Sequence, residues 1–230
     1  METLNFKRFF LVTGGSGGIG SSVCRQLLSK GFLPIVGYRS NKEHAEKVAA
    51  ESEGFAVELN LSIEDSIINA VNLIQKKLSK DDLLSGVILG ASPPPDLFPF
   101  SRLDSEHFLN QFQVNVNGPQ VLLSMLIKSF FKKNKAGQVI GILSNAIGSE
   151  DKLPATGMGA YIVAKSAMQS LLFVCTAEYP WLNISTVSPS FTDTKMLEVF
   201  DDRYLELVAQ KNTILHPDDV AKNILKLIKT

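Results

Sequence analysis

Short apolar runs alternate along the chain with longer stretches in which apolar residues return every third or fourth position. The runs are Phe9–Val12, Leu33–Gly37, Phe55–Leu59, Gly86–Leu89, Gln138–Leu143 and Ile184–Val187. Most are near-continuous in Val, Ile, Leu and Phe, which predicts strands covered on both faces. The segments Gly18–Lys30, Lys42–Ser52, Ile63–Ser79, Ser105–Lys133, Gly157–Glu178, Thr194–Gln210 and Pro217–Ile228 are expected to be helices. In the third, Ile63, Ile67, Ala70, Val71 and Ile74 form one apolar face. Pro217 followed by Asp218 and Asp219 suits a helix start, since acids favour its positive end. Strands alternating with helices imply an α/β fold, a doubly wound parallel sheet with right-handed crossovers. No linker, repeat or low-complexity tract interrupts it, so residues 1–230 are expected to form a single domain. Pro93-Pro94-Pro95 reads as a stiff local loop.

Composition narrows the partners. The 230 residues carry 23 Lys plus Arg against 23 Asp plus Glu. A balanced charge argues against a nucleic-acid or membrane-surface role. No uninterrupted apolar run approaches the roughly 20 residues that span a bilayer. The start has an early Glu2 and an apolar run soon broken by glycines, unlike a signal peptide, so a cytoplasmic location is expected. Cys24 and Cys175 lie on apolar helix faces and read as buried free thiols. His44, His107 and His216 share no ligand spacing, so no metal is expected.

Two constellations carry chemistry. Thr13-Gly14-Gly15-Ser16-Gly17-Gly18-Ile19-Gly20 follows a strand and opens a helix, the context of a dinucleotide phosphate loop. Glycines let the backbone come close to a pyrophosphate, which meets the free amides at the helix start. Gly14, Ser16, Gly17, Gly18, Ile19 and Gly20 are therefore candidate cofactor contacts. Tyr161 and Lys165 lie four apart on an expected helix and face the same way. A nearby ammonium favours the phenolate, and a tyrosine so tuned can hand a proton to a carbonyl oxygen.

With these residues the chain resembles the short-chain dehydrogenase/reductase family over essentially its whole length, 3-oxoacyl reductases included. Thr13, Gly14, Gly18 and Gly20 match its glycine loop, and Tyr161 and Lys165 its Tyr-x-x-x-Lys pair. Asn115 matches its helix asparagine, and Pro189 to Thr194 its loop against the nicotinamide. The resemblance implies a Rossmann fold and a set of roles. Tyr161 is the general acid, Lys165 holds the nicotinamide ribose and lowers the tyrosine pKa, and Asn115 holds a water in a proton relay. Asn60 and Leu61, Ala91, Pro189, Thr192 and Thr194 are implied cofactor neighbours.

The chain departs from the family pattern in five places, one of them Leu89-Gly90-Ala91-Ser92, which keeps Ala91 of the family's Asn-Asn-Ala-Gly run and neither asparagine. Aligning Gly148 puts Asn145 where the family's serine belongs and Ser144 one place early; either can donate to the substrate oxygen. The spacing from there to Tyr161 is longer than usual. Asn60 stands for the family's aspartate facing adenine, to which its amide oxygen can still pair. The chain ends at Thr230 without the family's seventh strand, which favours a homodimer through helices 105–133 and 157–178.

Strand two ends in Tyr38-Arg39-Ser40, without the acid that NAD enzymes place there. Arg39 and Ser40 suit a 2′-phosphate, so the expected cofactor is NADP. Loops 92–104, 149–158 and 189–212 are expected to line the substrate mouth. Leu97, Phe98, Phe100, Phe191, Met196 and Phe200 make it apolar. The expected function is NADP-dependent reduction of a small, hydrophobic carbonyl compound, a ketone or 3-oxoacyl type. A catalytically impaired NADP-binding regulatory protein and an imine or enone reductase are the alternatives.

Overall fold

The computed structural model describes residues 6–211 and 213–229. Expectations attached to the first five residues, to residue 212 of the third loop and to Thr230 lie outside it. Six strands form one sheet: β1 Arg8–Thr13, β2 Leu33–Tyr38, β3 Phe55–Glu58, β4 Leu83–Leu89, β5 Gln138–Ile142 and β6 Asn183–Val187. Their order is β3-β2-β1-β4-β5-β6, and every pairing is parallel. The order reverses direction between β1 and β4, which opens a crevice beyond the carboxyl ends of these two strands.

Alternation along each strand builds two cores. Phe9, Leu11, Ile35 and Val87 face one side and pack with α3 (Glu64–Lys77), α5 (Gly118–Leu126) and α7 (Gly159–Glu178). Phe10, Val12, Val36 and Ile88 face the other, against α1 (Gly18–Leu27), α2 (Lys42–Glu51) and α9 (Pro217–Leu227). Burial on both sides is why the strands read as continuous apolar runs rather than alternating ones. Cys24 and Cys175 are buried free thiols, as expected. Burial pushes the Cys24 thiol up to about 12.

Three helices differ from the sequence expectation. Ile63 precedes the first turn of α3 in extended conformation and is exposed, so the apolar face is Ile67, Ala70, Val71 and Ile74. The span Ser105–Lys133 is helical but not uniform. α4 (Ser105–Phe112), α5 and α6 (Lys132–Asn134) are joined by π-turns at Gln113–Asn117 and Ile127–Phe131. Pro119 has no N–H to give the Asn115 carbonyl, and the ladder widens there. The span Thr194–Gln210 splits into a 3-10 turn, Lys195–Val199, and α8, Asp202–Lys211. Thr194 Oγ1 accepts from Met196 N at 3.3 Å and Asp201 Oδ1 from Tyr204 N at 2.7 Å. Each side chain caps a new start, which favours two short helices over one.

α7 also corrects the reading that no stretch is long and apolar enough to span a bilayer. By length and composition this 20-residue helix is. In the fold, however, its Ala160, Tyr161, Ala164, Lys165, Met168 and Leu172 side is buried within the domain.

Candidate active site

The glycine turn is built from contacts between main chains. Thr13 ends β1, and its buried Oγ1 accepts from Gly90 N at 3.0 Å and Ala91 N at 3.1 Å. The end of β1 is thereby tied to the end of β4. Gly14 has φ +67, and a Cβ there would stand 3.0 Å from Ala91 Cα. A Cβ on Gly20 would run into the Gly14 carbonyl. Only glycines let α1 begin this close to the strand. Its N-cap, Gly17, supplies no side-chain acceptor, and the first turn holds no acid. Gly17 and Gly18 are exposed, so the first amides of α1 are open to an anion. The Ser16 carbonyl lies 3.0 Å from His44 Nδ1.

Ala91 lies against Gly14 at the turn. Arg39 and Ser40 are exposed beyond β2, and among the described residues no carboxylate pairs with Arg39. Asn60 Oδ1 accepts from Ser62 N at 3.0 Å and Ser62 Oγ at 2.7 Å. Its two lone pairs are thus committed to a local turn, and it is the Nδ2 that stays available, contrary to the expectation for its oxygen. The Leu61 side chain is buried in the core, and its carbonyl lies against Gly118. Thr194 lies against Gly18, where a Cβ would stand 2.8 Å from that of Thr194.

A cavity of about 220 Å³ opens beside the turn. Ile19, Ser144, Asn145, Tyr161, Lys165, Pro189, Thr192 and Thr194 all border it. Ser92 and Pro95 form one wall, Lys152, Leu153, Ala155 and Met158 a second, and Phe191, Met196, Phe200 and Tyr204 a third. Phe200 stacks on Tyr204 at 5.3 Å, and Phe191 meets Phe200 edge-on at 5.6 Å. Leu97, Phe98 and Phe100 were expected here but are exposed and do not border the cavity.

At the base of the cavity the electrostatics differ from expectation. Burial raises the Tyr161 phenol above its ordinary value, and the neighbouring Ser144 hydroxyl pulls it partly back. Lys165 is buried, its pKa falls to about 7 through desolvation, and its Nζ donates to the Ile142 carbonyl at 2.9 Å. The ammonium that was to stabilise a phenolate is itself disfavoured by the same low dielectric. Tyr161 therefore keeps its proton at neutral pH. Between the two candidates after β5, Ser144 is the one whose hydroxyl acts on Tyr161. Asn145 instead donates its backbone N–H to the Pro189 carbonyl at 3.0 Å.

Asn115 is buried behind this site in the first π-turn and does not border the cavity. Its Nδ2 donates to the backbone carbonyl of Gln111 at 3.1 Å and to Gln111 Oε1 at 3.0 Å. Its Oδ1 is buried without a partner among the described residues. Gln111, Lys152 and Tyr204 were not singled out from the sequence. For Gln111 the available signal was a polar residue one helical turn before Asn115 on a buried face.

Comparison with known proteins agrees with this geometry. The short chain dehydrogenase family matches residues 8–204. The chain is 28% identical to the benzil reductase ((S)-benzoin forming) of Bacillus cereus, covering 97% of this chain and 94% of that one. It is 26% identical to a 3-oxoacyl-[acyl-carrier-protein] reductase of Haemophilus influenzae, covering 84% and 77%. The fold is shared with a 3-ketoacyl-(acyl-carrier-protein) reductase from Brucella melitensis, solved with NADH, at a TM-score of 0.85 and 22% identity, covering 97% and 91%.

The buried lysine makes folding depend on pH with a definite sign. Between about 7 and the ordinary 10.5 the unfolded chain holds a proton on Lys165 that the folded chain does not. The penalty is full below pH 7 and is relieved as pH rises. In urea denaturation without nucleotide, wild type should gain on Lys165→Met by up to about 1.4 kcal/mol per pH unit above pH 7. A gap that stays constant with pH would mean that Lys165 keeps an ordinary pKa.

Proposed function

This chain belongs to the short-chain dehydrogenase family, and on that premise we propose that it is an NADP-dependent reductase of an apolar carbonyl compound, with Tyr161 as general acid. One observation carries the reading: Tyr161 and Ser144 meet at the base of an apolar cavity, with the buried Lys165 behind them. The reductase names of the Bacillus and Haemophilus relatives support carbonyl chemistry. The Phe191, Phe200 and Tyr204 wall supports an apolar substrate.

The residues present fit the nicotinamide nucleotide. The uncapped start of α1 suits its pyrophosphate, with Gly14 to Gly20 allowing the approach. Arg39 and Ser40 suit a 2′-phosphate, since a guanidinium with no carboxylate partner gains most from pairing with an anion. Asn60 Nδ2 and Ala91 suit the adenosine side, and Lys165 the ribose hydroxyls. Pro189, Thr192 and Thr194 suit the carboxamide. When bound, the reduced nicotinamide supplies the hydride. Tyr161 donates its proton to the carbonyl oxygen, and Ser144 donates a hydrogen bond to that oxygen as charge develops. Burial favours this direction, because a phenol with a raised pKa is protonated when the substrate arrives. Lys165, with a pKa near 7, is suited to return a proton to Tyr161.

NADPH oxidation against a panel of ketones and 3-oxoacyl thioesters tests the reading. Tyr161→Phe should lose at least about 100-fold in kcat while holding NADPH as the wild type does. Unimpaired turnover in that variant would exclude Tyr161 as the acid. Arg39→Ala should lower kcat/KM for NADPH by about 10-fold or more and leave NADH within about 2-fold. Equal losses on both nucleotides would remove the assignment to the 2′-phosphate.

The chain is also proposed to pair with a second copy through the α4–α6 and α7 surface. Leu109 is 68% exposed and Phe173 76% exposed on these helices, an apolar surface of the kind that covers itself by self-association. Sedimentation should show a dimer that Phe173→Asp converts to monomer; a monomeric wild type would rule it out.

A further inference from the structure

The charge around the cavity is one-sided. The whole chain balances 23 Lys and Arg against 23 Asp and Glu. The residues that border the cavity include Lys152 and Lys165 and, among the described residues, no carboxylate. Lys165 is committed at the base, where its Nζ donates to the Ile142 carbonyl. Lys152 stands at the rim, on the hairpin that follows Gly148. It is exposed and pairs with no carboxylate among the described residues. Its backbone is held in place: its N–H donates to the Ser149 carbonyl at 3.2 Å, and its carbonyl accepts from Ser149 N at 2.8 Å. Ala155 N closes the loop below on the Ala146 carbonyl at 2.9 Å, and Phe98 N ties it from outside to the Gly157 carbonyl at 2.9 Å. The point from which the lysine side chain departs is thus fixed beside the wall of Leu153, Ala155 and Met158. Glu150 and Asp151, at the tip of the hairpin, are exposed and do not border the cavity. An ion pair at the edge of an apolar cavity is screened less than one in open water.

We propose that Lys152 is a specificity-determining residue that selects carbonyl substrates carrying a carboxylate, so that the chain reduces small keto acids in preference to neutral ketones. This selectivity rests on the carbonyl-reductase reading above and adds one anionic end to its apolar substrate. The carbonyl meets Tyr161 and Ser144 at the base, and the carboxylate meets Lys152 at the rim. The carboxylate itself is unchanged by the reaction. No acid among the cavity residues competes for the ammonium, so it is free to pair with the substrate. It gives nothing to a neutral ketone of the same shape, and its effect is therefore a ratio between two substrates. A cavity of about 220 Å³ suits an anion a short way from the carbonyl. The phosphate of a long thioester arm would lie outside it.

The test is the ratio of kcat/KM for a keto acid to that for its methyl ester, with NADPH saturating. Pairs that differ in the number of carbons between ketone and carboxylate are compared in wild type, Lys152→Arg, Lys152→Met and Lys152→Glu. Wild type should favour the acid of its best pair by at least about 5-fold at low salt, and the ratio should shrink as ionic strength rises. Lys152→Arg should keep most of the preference, Lys152→Met should bring the ratio to about 1, and Lys152→Glu should put the ester ahead. A lysine that serves only the hairpin would move both rates together and leave the ratio alone. Equal rates on acid and ester in wild type, or a preference that survives in the Met and Glu variants, would overturn the selectivity and leave the reductase reading standing. An anion preference confined to coenzyme A thioesters over uncharged thioesters would place the anion outside the cavity and overturn the carboxylate. No turnover by wild type on any pair or any neutral ketone would sink the reading and the selectivity together. Binding gives a second readout. The hydroxy acid product, titrated into NADP-loaded protein, should bind Lys152→Met at least about 5-fold more weakly than wild type, with a smaller loss for its methyl ester. Equal losses for both would count against an ion pair.

Discussion

The contact of main chain against main chain at the end of β1 sets the position of everything else in the site. α1 begins where a Cβ on Gly20 would strike the Gly14 carbonyl, and Gly14 itself lies against Ala91. Thr13 Oγ1 closes the same junction from inside by holding two amides of the β4 end. Each such bond contributes on the order of 1 kcal/mol, but their larger effect is geometric. They hold the open amides of α1 beside the point where the strand order reverses. Thr194 then rests on Gly18 and brings the loop after β6 over the turn. The glycines are therefore part of how the crevice is assembled, independently of any nucleotide.

A second constraint is the low dielectric at the base of the cavity. It acts on two groups of opposite charge type and penalises the charged form of both. The phenol of Tyr161 is held protonated and the amine of Lys165 is brought to about 7. Burial moves both groups, and the Ser144 hydroxyl offsets part of the shift at Tyr161. The Ile142 carbonyl accepts from Nζ in either protonation state, so Lys165 stays in place as it titrates.

What was legible in the sequence follows from which forces are local. All six strands could be read because each is covered on both faces and so forms a continuous apolar run. The glycine turn and the Tyr161/Lys165 pair could be read because their geometry is set within eight residues and within one helical turn, respectively. Thr194–Gln210 was misread because its apolar spacing is helical throughout, while Thr194 and Asp201 offer their own oxygens to nearby amides and restart the chain. Ile63 has the right period but falls outside the helix. Asn60 was placed in the right loop, yet its oxygen is occupied by Ser62, two residues on. The Lys165 pKa depends on burial from several elements and has no signature in a four-residue spacing. Gln111 was missed for a related reason: its partners are Asn115, one turn away, and Pro94, on a different segment.

Ser144 and Asn145, both candidates for the family serine's place, have different partners in the structure. Counting back from Gly148 placed Asn145 in the serine's position, which assumes that Gly148 marks the end of a loop of standard length. In the structure Gly148 has φ +77 and turns into a small hairpin, where Ser149 and Lys152 exchange backbone hydrogen bonds at 2.8 and 3.2 Å. A Cβ at Gly148 would strike the Lys152 carbonyl, so this glycine serves the hairpin. The loop closes at its base through Ala155 N to the Ala146 carbonyl at 2.9 Å, and Asn145 is fastened to Pro189. With both anchors fixed, the hairpin is taken up without moving Ser144 away from Tyr161. The extra residues instead carry Lys152 and Leu153 to the rim of the cavity. Length inserted between two anchored ends changes the rim of the cavity and leaves Ser144 in register with Tyr161.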